Sequence, residues 1–337
     1  MMPEDLRTIA MFDWLENDLL LTIKHCEPAS SDASFRRYFR IKTPDAQFIV
    51  MDAPPSQENT EPFVRISQLL TQSKVNVPHI FQQNQAQGFL LLEDFGNQCF
   101  LDQLTVDTVG KLYQSAFDSL FRLQTLTSVE NSGLPHYDEA LLHRELVIFD
   151  DWFLGQLLDL QIPALMWKTV SDLLVASALE QPCVCVHRDY HSRNLMILDN
   201  DSPGVIDFQD AVIGPVTYDL VSLLRDCYIA WPEQQVEHWR ARYFERLHDA
   251  GLIQCSPAQF KRWFDLMGLQ RHLKAIGIFS RLHLRDGKSS YLGDIPRTLN
   301  YVMTVCENYP ELAGFNEFLR DQVLPVLRVV EASITPP

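Results

Sequence analysis

The residues with the clearest chemical potential lie in one polar stretch of this 337-residue chain. Asp189 and Asn194 stand in the segment HRDYHSRN (residues 187–194), and Asp207 follows in the segment IDF. A carboxylate can accept the proton of a hydroxyl, while an amide oxygen and a second carboxylate are hard ligands suited to Mg²⁺. We therefore predict a site that activates a hydroxyl beside bound Mg²⁺, with Asp189 as catalytic base and Asn194 and Asp207 as metal ligands, an arrangement that suits phosphoryl transfer.

Three short apolar runs must hold these side chains in place. They are Val184–Val186, Leu195–Leu198 and Gly204–Phe208. Each is bounded by polar or turn-forming residues, which predicts short strands that carry loops. A pattern as short as HxDxxxxN also occurs by chance in polar loops. Asp207 follows Asp189 and Asn194 after a short separation and stands at the end of a second strand, which argues against coincidence.

The rest of the chain divides into a strand-rich first third and a helical part. Residues 5–24 and 60–73 have the apolar spacing of amphipathic helices. The segments FRRYFRI, FIVMDAPP and QGFLLLEDFG read as strands, the second of which is stopped by two prolines. From about residue 103, helical periodicity prevails to the C-terminus apart from residues 183–210.

The bulk composition limits the partners. A formal net charge of -16 at pH 7 argues against nucleic acid or an anionic membrane as the main partner. No stretch is apolar over the length of a bilayer, and no signal peptide is predicted. The seven cysteines are odd in number and scattered, which favours reduced thiols. We predict a soluble cytoplasmic protein that binds a small molecule, with a monomer as the simplest expectation.

The motifs resemble those of the aminoglycoside phosphotransferase/choline kinase family. Protein kinases carry a related order, H-R-D, then an Asn, then D-F-G, but this chain has IDFQD at 206–210 and GPVTYDL at 214–220, as that family does. The resemblance implies an α+β, protein-kinase-like fold of two lobes, a small antiparallel-sheet lobe (1–96) and a larger, mainly helical lobe (97–337). It also implies ATP and Mg²⁺ as cofactors. Asp219 would brace the catalytic loop through hydrogen bonds, unless it is a solvated carboxylate in a helix first turn.

Other segments point to one branch of that family. SSDASFRRYFRI, FIVMDAPP, GFLLLEDFG, LQRHLKAIGIFSRL and DGKSSYLGDIPRTLNYV together resemble bacterial cell-wall sugar kinases, over roughly residues 30–305. The resemblance implies phosphorylation of the anomeric hydroxyl of N-acetylmuramate and N-acetylglucosamine in peptidoglycan recycling. A kinase of an aminoglycoside, choline or homoserine-like alcohol and a nucleotide-binding pseudokinase remain alternatives.

One expected residue is absent from the first lobe. A strand of this superfamily usually presents a lysine to the α- and β-phosphates, but Met51 and Asp52 stand there. The nearby Arg36, Arg37 and Arg40 are candidates to replace it, and solvated strand charges are the alternative.

Two further segments complete the predicted nucleotide site. The small residues up to Ser34 stand where a phosphate-covering loop belongs, and Glu93 and Asp94 match the hinge whose backbone holds adenine. The predicted nucleotide-binding residues are Ser34, Arg36, Arg37, Glu93 and Asp94.

Substrate hydroxyls are predicted to meet residues around the proposed base. These are His187, Arg188, His191, Gln209 and Arg271. His187 can equally serve as a structural hydrogen-bonding group. Arg271 begins a basic stripe with Lys274, Arg281 and Arg285, which helical spacing places on one face. A substrate carboxylate is one partner for this stripe, and a solvated or internally paired face is the alternative.

Overall fold

The computed structural model describes residues 5–30, 35–199 and 202–334. The chain divides into two compact units. Unit 1 consists of Met1–Arg122 and Arg193–Asp210, and unit 2 of Leu123–Ser192 and Ala211–Pro337. The predicted lobe boundary at residue 96 stays a prediction. Elements are numbered in chain order.

Unit 1 is built on a five-stranded antiparallel sheet. Its strands, in sheet order, are β1 (His25–Ser30), β2 (Arg37–Lys42), β3 (Gln47–Asp52), β5 (Phe89–Glu93) and β4 (Ile80–Asn84). The central strands β3 and β5 carry the apolar runs FIVM and FLLL, which suit a buried pleated surface. The edge strand β1 was not predicted, because its sequence HCEPAS lacks apolar alternation and contains a proline that only an edge tolerates.

An N-terminal helix covers one face of this sheet. The α-helix α1 covers Leu6–Asp13 and continues as a π-helix to Asp18. The prediction of a helix over 5–24 was therefore too long at its C-terminal end, where Leu20 has a φ of 55°. Trp14 stacks on Phe89 with ring centroids 5.7 Å apart. The helix residues join a buried cluster made of Met11, Trp14, Leu15, Ile41, Val50, Phe89 and Leu91.

The remaining elements of unit 1 include a short ribbon from the second chain segment. Strands β7 (Leu195–Met196) and β8 (Gly204–Val205) pair antiparallel, shorter than the predicted runs. The ribbon is attached where Val205 N–H donates to Asn76 O at 2.7 Å. A Cβ on Gly204 would lie 2.5 Å from the Phe95 ring, so a larger residue there would require that ring to shift. Helices α2 (Glu61–Gln72), α3 (Phe100–Gln103) and α4 (Val109–Leu126) complete this part of the chain.

Unit 2 is mainly helical. Its helices are α5 (Glu139–Ile148), α6 (Ala164–Leu179), α7 (Tyr218–Leu224), α8 (Glu233–Asp249), α9 (Pro257–Asp286), α10 (Ile295–Asn308), α11 (Ala313–Phe318) and α12 (Leu324–Ile334). A two-stranded antiparallel sheet, β6 (Cys183–Val186) with β9 (Val212–Pro215), precedes α7. None of the helices within the described ranges combines the length and apolar character that a membrane span requires.

The 30-residue helix α9 is the central element of unit 2. Ser256 caps its N-terminus by accepting a hydrogen bond from Gln259 N–H at 3.1 Å, and proline follows at the first helical position. Gly287, with a φ of 67°, ends the helix in the left-handed region. Along its length, α9 packs against α5 and the π-helix that continues it (Phe149–Leu157).

Gly277 allows the closest approach in this packing. A Cβ at this position would lie 2.5 Å from the Ile148 carbonyl oxygen, which belongs to α5 backbone and cannot rotate away. Alanine normally stabilises a helix interior relative to glycine. Here the backbone clash outweighs that propensity.

We predict that Gly277→Ala lowers the free energy of unfolding by about 1–3 kcal/mol, because the two helices must separate to admit the methyl group. Thermal unfolding followed by circular dichroism measures this as a lower Tm. Gly110→Ala is the matched control, since a Cβ there meets no heavy atom within 4 Å and should leave Tm unchanged or raise it. An unchanged Tm for Gly277→Ala would contradict the packing described.

Candidate active site

The predicted catalytic loop of unit 2 begins on backbone hydrogen bonds to one buried carboxylate. His187 N–H and Arg188 N–H donate to the two oxygens of Asp219, at 2.7 and 3.0 Å. Asp219 lies in the first turn of α7 and is fully buried. Arg188 has a φ of 77°, a left-handed conformation that costs a non-glycine residue about 1 kcal/mol or more. The two hydrogen bonds hold this strained residue directly before Asp189.

A second carboxylate fixes the other end of the same loop. Ser192 N–H and Oγ–H donate to Asp226 Oδ2 at 2.9 and 2.6 Å, and Tyr228 N–H donates to Asp226 Oδ1 at 2.8 Å. Asp226 is fully buried. Asp226 was not predicted as a site residue, because a single aspartate after a helical segment has no motif around it.

His187 supports the loop from within. Its ring is buried, and Nδ1 lies 3.2 Å from the backbone nitrogen of Asp189, whose N–H it accepts. In the neutral ring this contact places the proton on Nε2. The geometry thus gives His187 a structural contact, and its predicted contact with substrate stays a prediction.

Positive charges surround the proposed base, which is half-buried. Burial would raise the pKa of the Asp189 carboxyl, but nearby positive groups, chiefly Lys274, His191 and Arg271, outweigh it. The pKa of Asp189 is therefore held below its ordinary value, and the group is ionised at neutral pH.

Glu145 is the buried counter-charge of this cluster, and it was not predicted. Its carboxylate pairs with Arg188 Nη2 at 2.5 Å and with Lys274 Nζ at 3.0 Å, and it accepts a hydrogen bond from the Tyr137 hydroxyl. Burial raises the pKa of Glu145, but the charges of Lys274 and Arg188 lower it by more. Glu145 thus orients two cations near the catalytic loop. In the sequence, Glu145 is one of three acids in the segment ELVIFDDW (145–152) and cannot be distinguished from a solvated charge.

The basic stripe of α9 is not uniform. Arg271 is only 6% exposed, and its guanidinium carbon lies 5.6 Å from the centre of the Tyr218 ring. Lys274 is paired with Glu145, as described. Arg285, in contrast, is exposed and pairs with its neighbour Asp286. Lys274 is therefore paired inside the protein, as one alternative predicted. Arg271 is buried without an ion pair among the described residues.

A row of aromatic rings runs from the catalytic loop across unit 2. The His191 ring meets Tyr228 edge-on at 5.3 Å, and Tyr228 lies 6.2 Å from Phe279. Phe279 in turn stacks on Tyr291 at 5.6 Å. Such rings offer apolar faces beside the polar groups of the loop, a combination common in small-molecule sites.

The two predicted metal ligands lie together in unit 1. Asn194 Nδ2 is 3.4 Å from Asp207 Oδ2, and Gln209 Nε2 donates to Asp207 Oδ1 at 2.7 Å. Asp207 has a φ of 66°, another strained non-glycine position. An amide and a carboxylate side by side fit Mg²⁺, which binds through few protein oxygens. Gln209, predicted as a substrate ligand, is placed against Asp207 and orients its carboxylate.

A cavity of about 550 Å³ in unit 1 contains several predicted residues. Asn194, Asp207, Glu93 and Asp94 all line it. Its apolar walls are formed by Ala29, Ile49, Phe63, Pro78, Leu92, Met196, Ile206 and Phe208. This volume lies within the range of small-molecule sites, and the apolar walls with a few polar groups suit a flat heterocycle.

Arg40 fixes the segment Asp94–Gly96 of this cavity, which was predicted as the hinge. Its guanidinium binds both carboxylate oxygens of Asp94, at 2.6 and 2.9 Å, and donates to Gly96 O at 2.9 Å. Gly96 N–H donates to Asp94 Oδ1 at 2.9 Å. Burial raises the pKa of Asp94, and the pair with Arg40 lowers it to below its ordinary value. Among the described residues, none accepts the backbone N–H of Phe95, which stands between them.

The other two arginines proposed to replace the strand lysine have different partners. Arg37 Nε donates to Asp52 Oδ2 at 2.9 Å, and Arg7 Nε donates to Asp52 Oδ1 at 3.0 Å. Arg36 Nε donates to Glu58 at 3.2 Å. Within the described ranges the cavity lining includes Arg40 but neither Arg36 nor Arg37, so their nucleotide contacts stay predictions.

Asp52 therefore does not carry an uncompensated charge. Its carboxylate is fully buried and is neutralised by two guanidinium groups. An unpaired aspartate at this position would repel phosphate, and the two guanidinium groups offset its charge. Ser34, predicted to bind nucleotide, lies outside the described residues.

Comparison with known proteins agrees with this arrangement. The phosphotransferase enzyme family matches residues 25–256. The N-acetylmuramate/N-acetylglucosamine kinase of Pseudomonas putida (KT2440) is 45% identical over 335 residues, covering 95% of this chain and 98% of the relative. The protein of the same name from Pseudomonas aeruginosa (PAO1) is 50% identical over 297 residues, covering 87% of each chain.

A solved structure gives the fold independently. An ADP-bound aminoglycoside phosphotransferase, APH(2'')-Ib, superposes with a TM-score of 0.57 at 13% identity, covering 87% of this chain and 97% of its own. The predicted α+β, protein-kinase-like fold is confirmed, as is the resemblance stated from the motifs. Since the family match spans more than half of the chain and the relatives cover most of it, the chain belongs to the phosphotransferase enzyme family.

Proposed function

We propose that this protein is an ATP-dependent kinase that phosphorylates the anomeric hydroxyl of N-acetylmuramate and N-acetylglucosamine. The observation that carries the proposal is the 45% identity, over nearly the whole chain, to a relative named as a kinase of both sugars. The reaction forms a bond between the sugar oxygen and the γ-phosphorus, breaks the bond from that phosphorus to the β–γ bridging oxygen, and releases ADP.

The cavity of unit 1 is proposed to bind the nucleotide. Its apolar walls suit adenine, and the backbone N–H of Phe95 is available to an acceptor nitrogen of the base. Asn194 and Asp207 would hold Mg²⁺, with Gln209 orienting the second of them. When bound, the ion neutralises charge that develops on the phosphates. Glu93 and Asp94 contribute to the cavity wall, and Arg40 fixes the hinge backbone.

Asp189 is proposed to orient the sugar hydroxyl and to take its proton. The low pKa of Asp189 keeps it ionised, so it accepts a hydrogen bond from the hydroxyl and aims the oxygen. The hydroxyl proton passes to the carboxylate as the new oxygen–phosphorus bond forms. Arg188 and Lys274, oriented by Glu145, keep positive charge beside the carboxylate. His191 begins the aromatic row against which the sugar ring would pack.

A cytoplasmic location is part of the proposal. It rests on the odd number of cysteines in the sequence, all of which carry free thiols in the structure. Both proposed sugars are small, neutral or singly charged molecules, in keeping with a chain whose overall charge disfavours polyanionic partners.

The first experiment is a coupled ADP-release assay with Mg-ATP. It offers N-acetylmuramate, N-acetylglucosamine, kanamycin and choline in parallel, with and without EDTA. We expect Mg²⁺-dependent turnover of the two amino sugars alone, and phosphorus NMR should identify a sugar 1-phosphate. Turnover of kanamycin or choline in place of the sugars would mean that the proposed substrate is wrong. Tight ATP binding without any turnover would favour a pseudokinase.

Replacing Asp189 tests the proposed base. Asp189→Asn keeps the size of the side chain but cannot take the proton, so kcat should fall roughly a hundred- to ten-thousand-fold. Affinity for ATP, measured by isothermal titration calorimetry, should stay close to that of the unsubstituted protein. Turnover near the normal rate would exclude Asp189 as the base.

Asp219 should matter through the position of the loop. Asp219→Asn offers one acceptor oxygen in place of two, so His187 N–H or Arg188 N–H loses its partner. We expect kcat to fall by about 10- to 100-fold while KM for ATP changes less. Asp249→Asn, at a carboxylate that is 85% exposed, is the control and should behave normally. A normal kcat for Asp219→Asn would mean that the loop keeps its place without these bonds.

Arg40 should affect nucleotide binding. Arg40→Met removes the tie to the hinge and leaves Asp94, with a side chain 5% exposed, as an unpaired carboxylate in the cavity wall. We expect KM for ATP to rise roughly tenfold with a smaller change in kcat. Lys42→Met is the matched control, because Lys42 lies on the same strand and is exposed. Equal KM values for the two variants would contradict this function of Arg40.

A further inference from the structure

Arg271 differs from the other buried arginines of unit 2. Arg225, with a side chain 4% exposed, binds Asp265 at 2.8 Å and Glu233 at 2.7 Å. Arg188 binds Glu145, and Arg240 binds Glu237. Arg271 is as deeply buried as these, yet in the part of the chain that the structure describes its Nη1 has no hydrogen-bond partner and no carboxylate forms an ion pair with it.

The nearest acids do not form an ion pair with Arg271. Asp189 and Asp226 both act on its charge from a distance, and both oxygens of Asp226 accept hydrogen bonds from Ser192 and Tyr228. Glu145 is occupied by Arg188, Lys274 and the Tyr137 hydroxyl. The Arg271 guanidinium carbon lies 5.6 Å from the centre of the Tyr218 ring. This cation–π contact stabilises the buried charge far less than an ion pair does.

An unpaired buried guanidinium is costly. A charge taken out of water without a partner destabilises the fold, and its burial is usually offset by an anion. No described side chain supplies that anion, so a ligand is the source that remains. Guanidinium groups present a planar fork of N–H donors that matches a carboxylate in a bidentate manner.

The position of Arg271 relates it to the acceptor. Arg271 lies close enough to Asp189 for its charge to lower the pKa of that carboxyl, so both groups belong to one region of unit 2. On the proposed function, Asp189 meets the anomeric hydroxyl of the sugar. N-acetylmuramate carries a lactyl ether with a carboxylate at O3 of the same ring, whereas N-acetylglucosamine carries a hydroxyl there. The two sugars thus differ by one anionic group, a few bonds from the reacting oxygen.

We propose that Arg271 binds the lactyl carboxylate of N-acetylmuramate and so determines how strongly this substrate is preferred over N-acetylglucosamine. The inference rests on the proposed function and adds the residue that distinguishes its two substrates. The alternative ligand of Arg271 is the transferred phosphoryl group, which takes part in the reactions of both sugars. Binding to that group would affect the two reactions equally, and this difference makes the two assignments separable.

The first test changes the substrate and leaves the protein intact. The kcat/KM values of N-acetylmuramate and of its methyl ester, in which the carboxylate is neutral, are compared in the ADP-release assay. We expect the ester to react roughly 10- to 100-fold less efficiently, the loss that follows from removing one charge-assisted hydrogen-bonded pair. Equal values for acid and ester would overturn the proposal.

The second test changes the arginine. Arg271→Gln and Arg271→Lys should lower kcat/KM for N-acetylmuramate roughly 10- to 100-fold while N-acetylglucosamine changes less than about threefold, and in Arg271→Gln the acid and the ester should become equivalent. Lysine keeps the charge but loses the planar fork, so its effect should be smaller. Arg285→Gln, at an exposed arginine of the same helix, should leave both sugars unchanged.

The outcomes distinguish failure of the Arg271 assignment from failure of the kinase proposal. An equal loss for both sugars would assign Arg271 to the phosphoryl group, and no loss for either would remove it from substrate binding; each result overturns the inference and leaves the kinase proposal standing. Failure of the unsubstituted protein to phosphorylate either sugar would overturn both. Tm serves as the fold control, and it should be unchanged or higher in Arg271→Gln because an unpaired buried charge is removed.

Discussion

The candidate active site depends on the hydrogen bonds between the buried Asp219 carboxylate and the backbone N–H groups of His187 and Arg188. Arg188 is held in a left-handed conformation that a free chain rarely adopts, and this turn directs the next residue, Asp189. Without these hydrogen bonds the loop backbone would leave its position, and Asp189 would move with it. Asp226 repeats the same solution at Ser192, so a carboxylate anchors each end of one short loop.

The electrostatics of unit 2 follow from that anchored loop. The loop brings Arg188 to Glu145, and α9 brings Lys274 to the same carboxylate. One buried acid therefore offsets two cations only in part, and the remaining positive charge lowers the pKa of Asp189. An enzyme with a net charge of -16 thus carries a locally positive region around Asp189. Local charge, more than the overall field, decides which small molecule is accepted.

Much of this arrangement could be predicted from local patterns, and the rest required long-range contacts. Asn194, Asp207 and Asp189 belong to a spaced motif, and the structure indeed brings Asn194 and Asp207 together in unit 1. The central strands were predictable because β3 and β5 are continuous apolar runs. Glu145 and Asp226 were missed because each acts through partners more than 30 residues away, which no window of sequence contains. The contact of Gln209 with Asp207 could not be read from the chain, and its predicted contact with substrate stays a prediction.

The pairing of Asp52 limits the substitutions that unit 1 can accept. Two guanidinium groups, those of Arg7 and Arg37, depend on this one buried carboxylate. A lysine at position 52 would bury a third cation beside Arg7 and Arg37 and would leave the more exposed Asp5, which pairs with Arg37, as the acid next to them. A single change at position 52 is therefore expected to destabilise unit 1, whereas simultaneous changes at positions 7, 37 and 52 are easier to accommodate.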